Sequence, residues 1–111
     1  MTRLFLAVAL FVSLVNFASA EVLDRTIRVH NLTAKRIVEM YASPIDQKDW
    51  TYNMIRDQGD WIRAGQTKLA DIDDGTGYCR YDLRAVRADG AVAEKYDVNV
   101  CVLTDWYIYG D

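Results

Sequence analysis

Histidine and proline occur once each in this sequence, as His30 and Pro44, cysteine occurs twice, and beyond position 20 serine occurs once, as Ser43. These shortages argue against most nucleophilic catalysis, which sets a hydroxyl or thiol beside an imidazole and a group that orients it. The cysteines, Cys79 and Cys101, lack the C-x-x-C spacing of a reactive pair and lie far from His30, so neither a redox motif nor a zinc site is expected. Gly75-Thr76-Gly77 is not followed by a lysine and a helix, so no phosphate loop is present. Blocks of Lys and Arg are absent too, which argues against nucleic acid or an anionic membrane as partner. No catalytic residue, cofactor or metal is assigned. What remains in supply is carboxylate: 16 acids make chance pairs at glycosidase spacing inevitable.

Long apolar runs are limited to one, near the N-terminus. Arg3 precedes Leu4 to Phe17, and Ala18-Ser19-Ala20 follows as a small-x-small cleavage pattern. The run is short of the roughly 20 residues needed to cross a bilayer. Residues 1–20 therefore read as a cleavable export signal and 21–111 as one domain. All three phenylalanines leave with the signal, so the remaining aromatics are three Trp and seven Tyr. With Arg3 gone, acids outnumber bases by four. Export leads to an oxidising space, so Cys79 and Cys101 read as one structural disulfide. The loop it closes, about 23 residues, is worth about 3 kcal/mol in the chain-entropy picture. That is substantial for a domain of this size.

The rest of the chain reads as β. Arg25 to Asn31 alternates, with Ile27 and Val29 on one side and Thr26, Arg28 and His30 on the other. Asn31 to Lys35 reads as a turn, and Arg36 to Ala42 as its hairpin partner. The sequon Asn31-Leu32-Thr33 is explained by that turn without a sugar. Ser43-Pro44 is expected to break the strand, and Asp46 to Ile55 to hold a helical turn that buries Trp50 and Met54. Gln66 to Ile72 reads as a strand ended by the turn Asp73 to Gly77. Those acids resemble a calcium loop, but Gly75 and Thr76 stand where ligand and glycine are required.

Cys79 to Val86 alternates with Cys79, Tyr81, Leu83 and Ala85 inward and Arg80, Asp82 and Arg84 outward. Asp89-Gly90 is a hairpin signal. A two-residue turn there sets Leu83 opposite Tyr96, Tyr81 opposite Val98 and Cys79 opposite Val100, leaving Cys101 on the wrong face. The disulfide then requires a one-residue bulge between Val98 and Cys101, because the alternative, a three- or five-residue turn that brings Cys79 opposite Cys101, would put Lys95, Asp97 and Asn99 inside. Trp106 to Tyr109 is a last aromatic strand. The expected fold is all-β, a small antiparallel sandwich or barrel of about six strands with one disulfide and one short helical turn.

Trp50, Tyr52 and Trp61 in the irregular segment, and Tyr107 and Tyr109 alternating with Trp106 and Ile108, are the candidate binding surface, because such rings suit interfaces that are wet on one side. The segments Ile27 to Thr33, Tyr41-Ala42-Ser43, Asp73 to Val86 and Val98 to Cys101, in that order, resemble a family of small exported alphaproteobacterial proteins of unknown function. Arg63-Ala64-Gly65 stands where that family often has a proline-glycine turn. Members sometimes carry the label argininosuccinate lyase, which this chain does not support, since that enzyme is a large helical tetramer. The resemblance implies a periplasmic or secreted bacterial protein and supplies no catalytic residue. The function expected is a non-enzymatic binding module for a protein or glycan of the cell envelope. Two alternatives stand beside it: an inhibitor of an envelope hydrolase using Ser43 to Gly65 as a protruding loop, and a carboxylate-based enzyme acting on glycans.

Overall fold

The computed structural model describes residues 25–111; the segment read as an export signal lies outside the described residues. Among the described residues six strands form two three-stranded sheets. In chain order they are β1 (Thr26–Leu32), β2 (Ile37–Pro44), β3 (Thr67–Asp71), β4 (Arg80–Arg87), β5 (Val92–Asn99) and β6 (Thr104–Tyr109), with a 3-10 turn at Gln58–Asp60. One sheet runs β3-β1-β6 and the other β2-β4-β5. The pairing of β1 with β6 is parallel and the others antiparallel. Among the described residues no helix is long and apolar enough to cross a membrane.

Each sheet turns its apolar side toward the other, and one core joins them. Ile27 and Val29 of β1 and Trp106 and Ile108 of β6 meet Ile37 and Met40 of β2 and Tyr81, Leu83 and Ala85 of β4. Each large side chain so buried contributes about 1.5–3 kcal/mol. Cys79 and Cys101 are bonded, with Cα atoms 5.2 Å apart. The bond ties the entry of β4 to the link that leaves β5 for β6 in the other sheet.

Several local expectations are corrected. β1 and β2 do not form a hairpin: they belong to different sheets. The buried Asn31 makes the corner between them. Its Nδ2 donates to the carbonyls of Lys35 and Ile62, both at 2.8 Å, and its Oδ1 accepts from Thr33 N and Oγ1. With its amide fully engaged, the sequon serves the turn. Alternation shows that a strand has one apolar side, but not whether the next strand lies beside it or across the core from it.

Pro44 ends β2 rather than breaking it earlier, paired with Tyr81, a position where a missing N–H is tolerated. Asp46 to Ile55 holds no helix; the helical turn lies at Gln58–Asp60. Met54 still packs against the core, held there because its N–H donates to Met40 O along the edge of β2.

The β4–β5 hairpin closes through three residues, not two. Gly90 N donates to Arg87 O and Arg87 N to Ala91 O, and Gly90 takes φ 90°, the left-handed position that such a turn assigns to glycine. Leu83 consequently faces Lys95, and Val92 and Tyr96 lie exposed on the outer side. The bulge comes earlier than expected, at Tyr96–Asp97 opposite Asp82, and restores Tyr81 opposite Val98. Lys95 on the inner side costs little because β5 is an edge strand and Lys95 stays exposed. Asp82 is outward as expected but only 6% exposed; its Oδ1 accepts the N–H of Asp97 at 2.9 Å, the donor that the bulge takes out of the ladder.

Candidate functional site

The outer face of the β3-β1-β6 sheet gathers the side chains that the core does not use. Because Ile27, Val29, Trp106 and Ile108 point inward, Arg28, His30 and Leu32 of β1 and Asp105, Tyr107 and Tyr109 of β6 point out. On β3 the exposed positions are Thr67, Leu69 and Asp71. The register aligns them in rows: Leu69, Arg28 and Asp105 in one, Thr67, His30 and Tyr107 in the next, then Leu32 and Tyr109.

The centre of this face is polar and paired. Arg28 grips Asp105 with two hydrogen bonds, Nε to Oδ1 at 2.6 Å and Nη2 to Oδ2 at 3.0 Å. His30 Nε2 lies 2.8 Å from Asp105 Oδ1 and its Nδ1 2.8 Å from Thr67 Oγ1. The Asp105 carboxylate accepts from His30 Nε2–H, and Nδ1 shares the second hydrogen bond with the threonine hydroxyl. Hydrogen bonds from Arg28, then from His30, hold the Asp105 carboxyl well below the usual carboxylate range. The ring of Tyr107 stacks on His30 with centroids 4.3 Å apart and planes 10° from parallel. The two residues are neighbours across parallel strands, so the rings stand roughly upright on the sheet and Tyr107 turns its second face toward the free side of β6.

Around this centre sit apolar groups in water: Leu69 is 70% exposed, Tyr109 73%, Tyr107 50%, and Leu32 nearly half. The hydroxyl, imidazole and carboxylate of Thr67, His30 and Asp105 have the composition of a proton relay. Their setting does not favour that chemistry. Arg28 compensates the carboxylate's charge, and an open sheet face lets in the water whose exclusion gives preorganised groups their catalytic leverage.

The five rings named from the sequence do not assemble. Tyr107 and Tyr109 share this face. Trp50 lies under the Arg84 guanidinium, 4.6 Å from it, on the outer side of the other sheet, where Arg84 also pairs with Glu94. Trp61 carries Arg36 at 5.0 Å, and Tyr52 lies exposed beside Arg56. The segment from Ser43 to Gly65 runs along β2: Ser43 Oγ accepts from Asp49 N, Asn53 Oδ1 from Met40 N, and Ile62 bridges Ile37. Between this segment and β3 is a cleft of about 220 Å³ with Met40, Met54, Ile55 and Ile62 in its wall and Asp60, Lys68 and Asp71 among its lining. That is below the roughly 300–1,000 Å³ of small-molecule pockets. The Asp73 to Gly77 turn is closed by its own side chains, Asp73 Oδ1 accepting from Gly75 N and Asp74 Oδ1 from Thr76 N and Tyr81 Oη. Among the described residues no group of three His, Cys, Asp or Glu side chains is arranged to hold a metal.

Sequence reasoning placed His30 and Arg28 together on a polar side but missed Thr67 and Asp105. Those two come from strands 37 and 75 positions away, and the signal for Asp105 was its place in the alternation with Tyr107 and Tyr109. Compared with known proteins, the chain matches no family model, no curated protein and no solved structure.

Proposed function

We propose that this chain is a non-enzymatic interaction module of the periplasm or the extracellular space, and that the outer face of the β3-β1-β6 sheet meets a protein partner. The observation that carries the reading is the paired Arg28, His30 and Asp105 centre bordered by exposed Leu32, Leu69, Tyr107 and Tyr109. Exposed apolar groups around polar groups already held in place form a surface that loses little entropy on binding, and tyrosine is among the residues that anchor interfaces. A protein suits this face better than a sugar. Sugar rings stack on an aromatic face turned outward, whereas the Tyr107 ring, stacked upright beside His30, presents its edge to whatever approaches the sheet. The N-terminal export pattern and the disulfide support the compartment.

The test is site-specific photocrosslinking in the cell envelope. A photoreactive residue replacing Leu69 should yield an adduct with a different protein, and the same residue replacing Val92 on the other sheet should yield none. Adducts of equal strength from both positions, or none from Leu69, would remove the proposal; a glycan adduct would replace the protein partner.

A further inference from the structure

The two sheets have four edges, and three of them are protected. The edge of β2 is occupied by the chain that follows it, through Met54 N to Met40 O, Met40 N to Asn53 Oδ1 and the Ile37–Ile62 bridge. β3 is five residues long and carries Lys68, whose Nζ reaches Gly59 O. β5 carries Glu94, Lys95 and the bulge at Asp97, which has φ 55°. Short strands, charges and bulges are the devices by which natural sheets stop their edges from pairing.

β6 has none of these. Its six residues hold no proline, no lysine and no bulge, and its one charge, Asp105, is compensated by Arg28. Among the described residues its ladder partner is β1 alone and no other backbone group bonds to it, which leaves its outward side open, among those residues, to another strand.

We infer that β6 is a self-association edge, on which a second copy of this chain adds its own β6 antiparallel across a two-fold axis at Tyr107. Residues directly opposite in such a pair lie on the same face, so the axis must keep Trp106 and Ile108 inward and Tyr107 and Tyr109 outward. An axis at Tyr107 does so. It sets Trp106 against Ile108 of the second copy and Asp105 against Tyr109 of the second copy. The strand's only charge therefore faces a phenol and not another carboxylate, which would repel it. Tyr107 meets Tyr107 of the second copy, so the open ring face described above is covered and the stack grows from two rings to four. The result is one continuous six-stranded sheet. The inference shares Tyr107 with the proposed partner face but is tested separately from it, since Leu69, the crosslinking position, lies two strands from this edge.

Light scattering and sedimentation of the full chain should show a concentration-dependent dimer. Tyr107→Lys places two ammonium groups opposite each other and should yield a monomer whose circular dichroism is that of the parent. Tyr109→Lys places an ammonium opposite Asp105 and should leave the dimer in place. Tyr107→Cys should form an intermolecular disulfide under oxidising conditions, since facing residues of an antiparallel pair lie within disulfide reach, and Tyr109→Cys should not. A parent chain that is monomeric up to millimolar concentration would overturn the inference. So would a dimer that survives Tyr107→Lys, or crosslinking through Tyr109→Cys in place of Tyr107→Cys.

Discussion

Asp105 carries a guanidinium and an imidazole on one carboxylate, and at the other end of the sandwich Arg87 binds Asp89 in the hairpin turn. The Asp89 carboxyl is pushed down to about 2, first by Arg87 and then by the Ala91 N–H, and Asp105 is lowered by Arg28 and then His30. A carboxyl whose folded pKa is depressed favours folding in its ionised form. That contribution is complete above the ordinary carboxylate range, about pH 4, and is lost as pH falls toward the folded value. Thermal melts from about pH 6 to pH 2 should therefore show a falling midpoint below about pH 4. Asp105→Asn should be less stable than the parent at the upper end, with the gap closing as pH falls; a gap independent of pH would mean that the charge of Asp105 contributes nothing. At this scale the sequence was only partly legible. It gave Arg28 and His30 a common side, but Asn31, a plain turn residue by its neighbours, proved to be the buried corner of the fold.

Strands were legible where one side is buried along its length. β1 and β6 follow their alternation throughout, because both lie over the facing sheet. β5 does not, because it is an edge strand half outside the core, and there turn geometry decides the register. The three-residue turn moves every pair by one, and the bulge at Tyr96–Asp97 moves them back. Asp82 makes that affordable to the fold by accepting the displaced Asp97 N–H. Asp82→Ala should cost about 0.5–1.5 kcal/mol, the net contribution of one hydrogen bond, since the Asp97 N–H is only partly buried and water can reach it. Urea denaturation should read the loss, and the Asp97 amide should exchange faster than in the parent. An unchanged midpoint would show that the bulge is held by something else.

For the molecule as a whole the disulfide is the link that chain pairing alone does not provide. It spans 22 positions and anchors the crossing from the β2-β4-β5 sheet to β6. Cys79→Ser with Cys101→Ser should lower stability by about 3 kcal/mol, the loop-closure estimate for that length, measured by urea denaturation beside the oxidised parent. Equal midpoints would show that the sheets hold themselves together. The candidate site belongs to this scale as well. His30 and Tyr107 become neighbours only because β1 and β6 run parallel in one sheet, and a parallel pairing between the first and last strands leaves no mark in local sequence.

The sequence by itself determined the β class, the inward rows of β1, β4 and β6, the hairpin between β4 and β5, and the pairing of Cys79 with Cys101. Each follows from a period of two, from turn chemistry or from having only two thiols. The tertiary structure alone decided which strands share a sheet, where the bulge falls, and that Thr67, His30, Asp105 and Tyr107 form one face. Local preferences act over a few residues, whereas sheet partnership is chosen by burying two apolar faces against each other, a cost and gain spread over the whole chain.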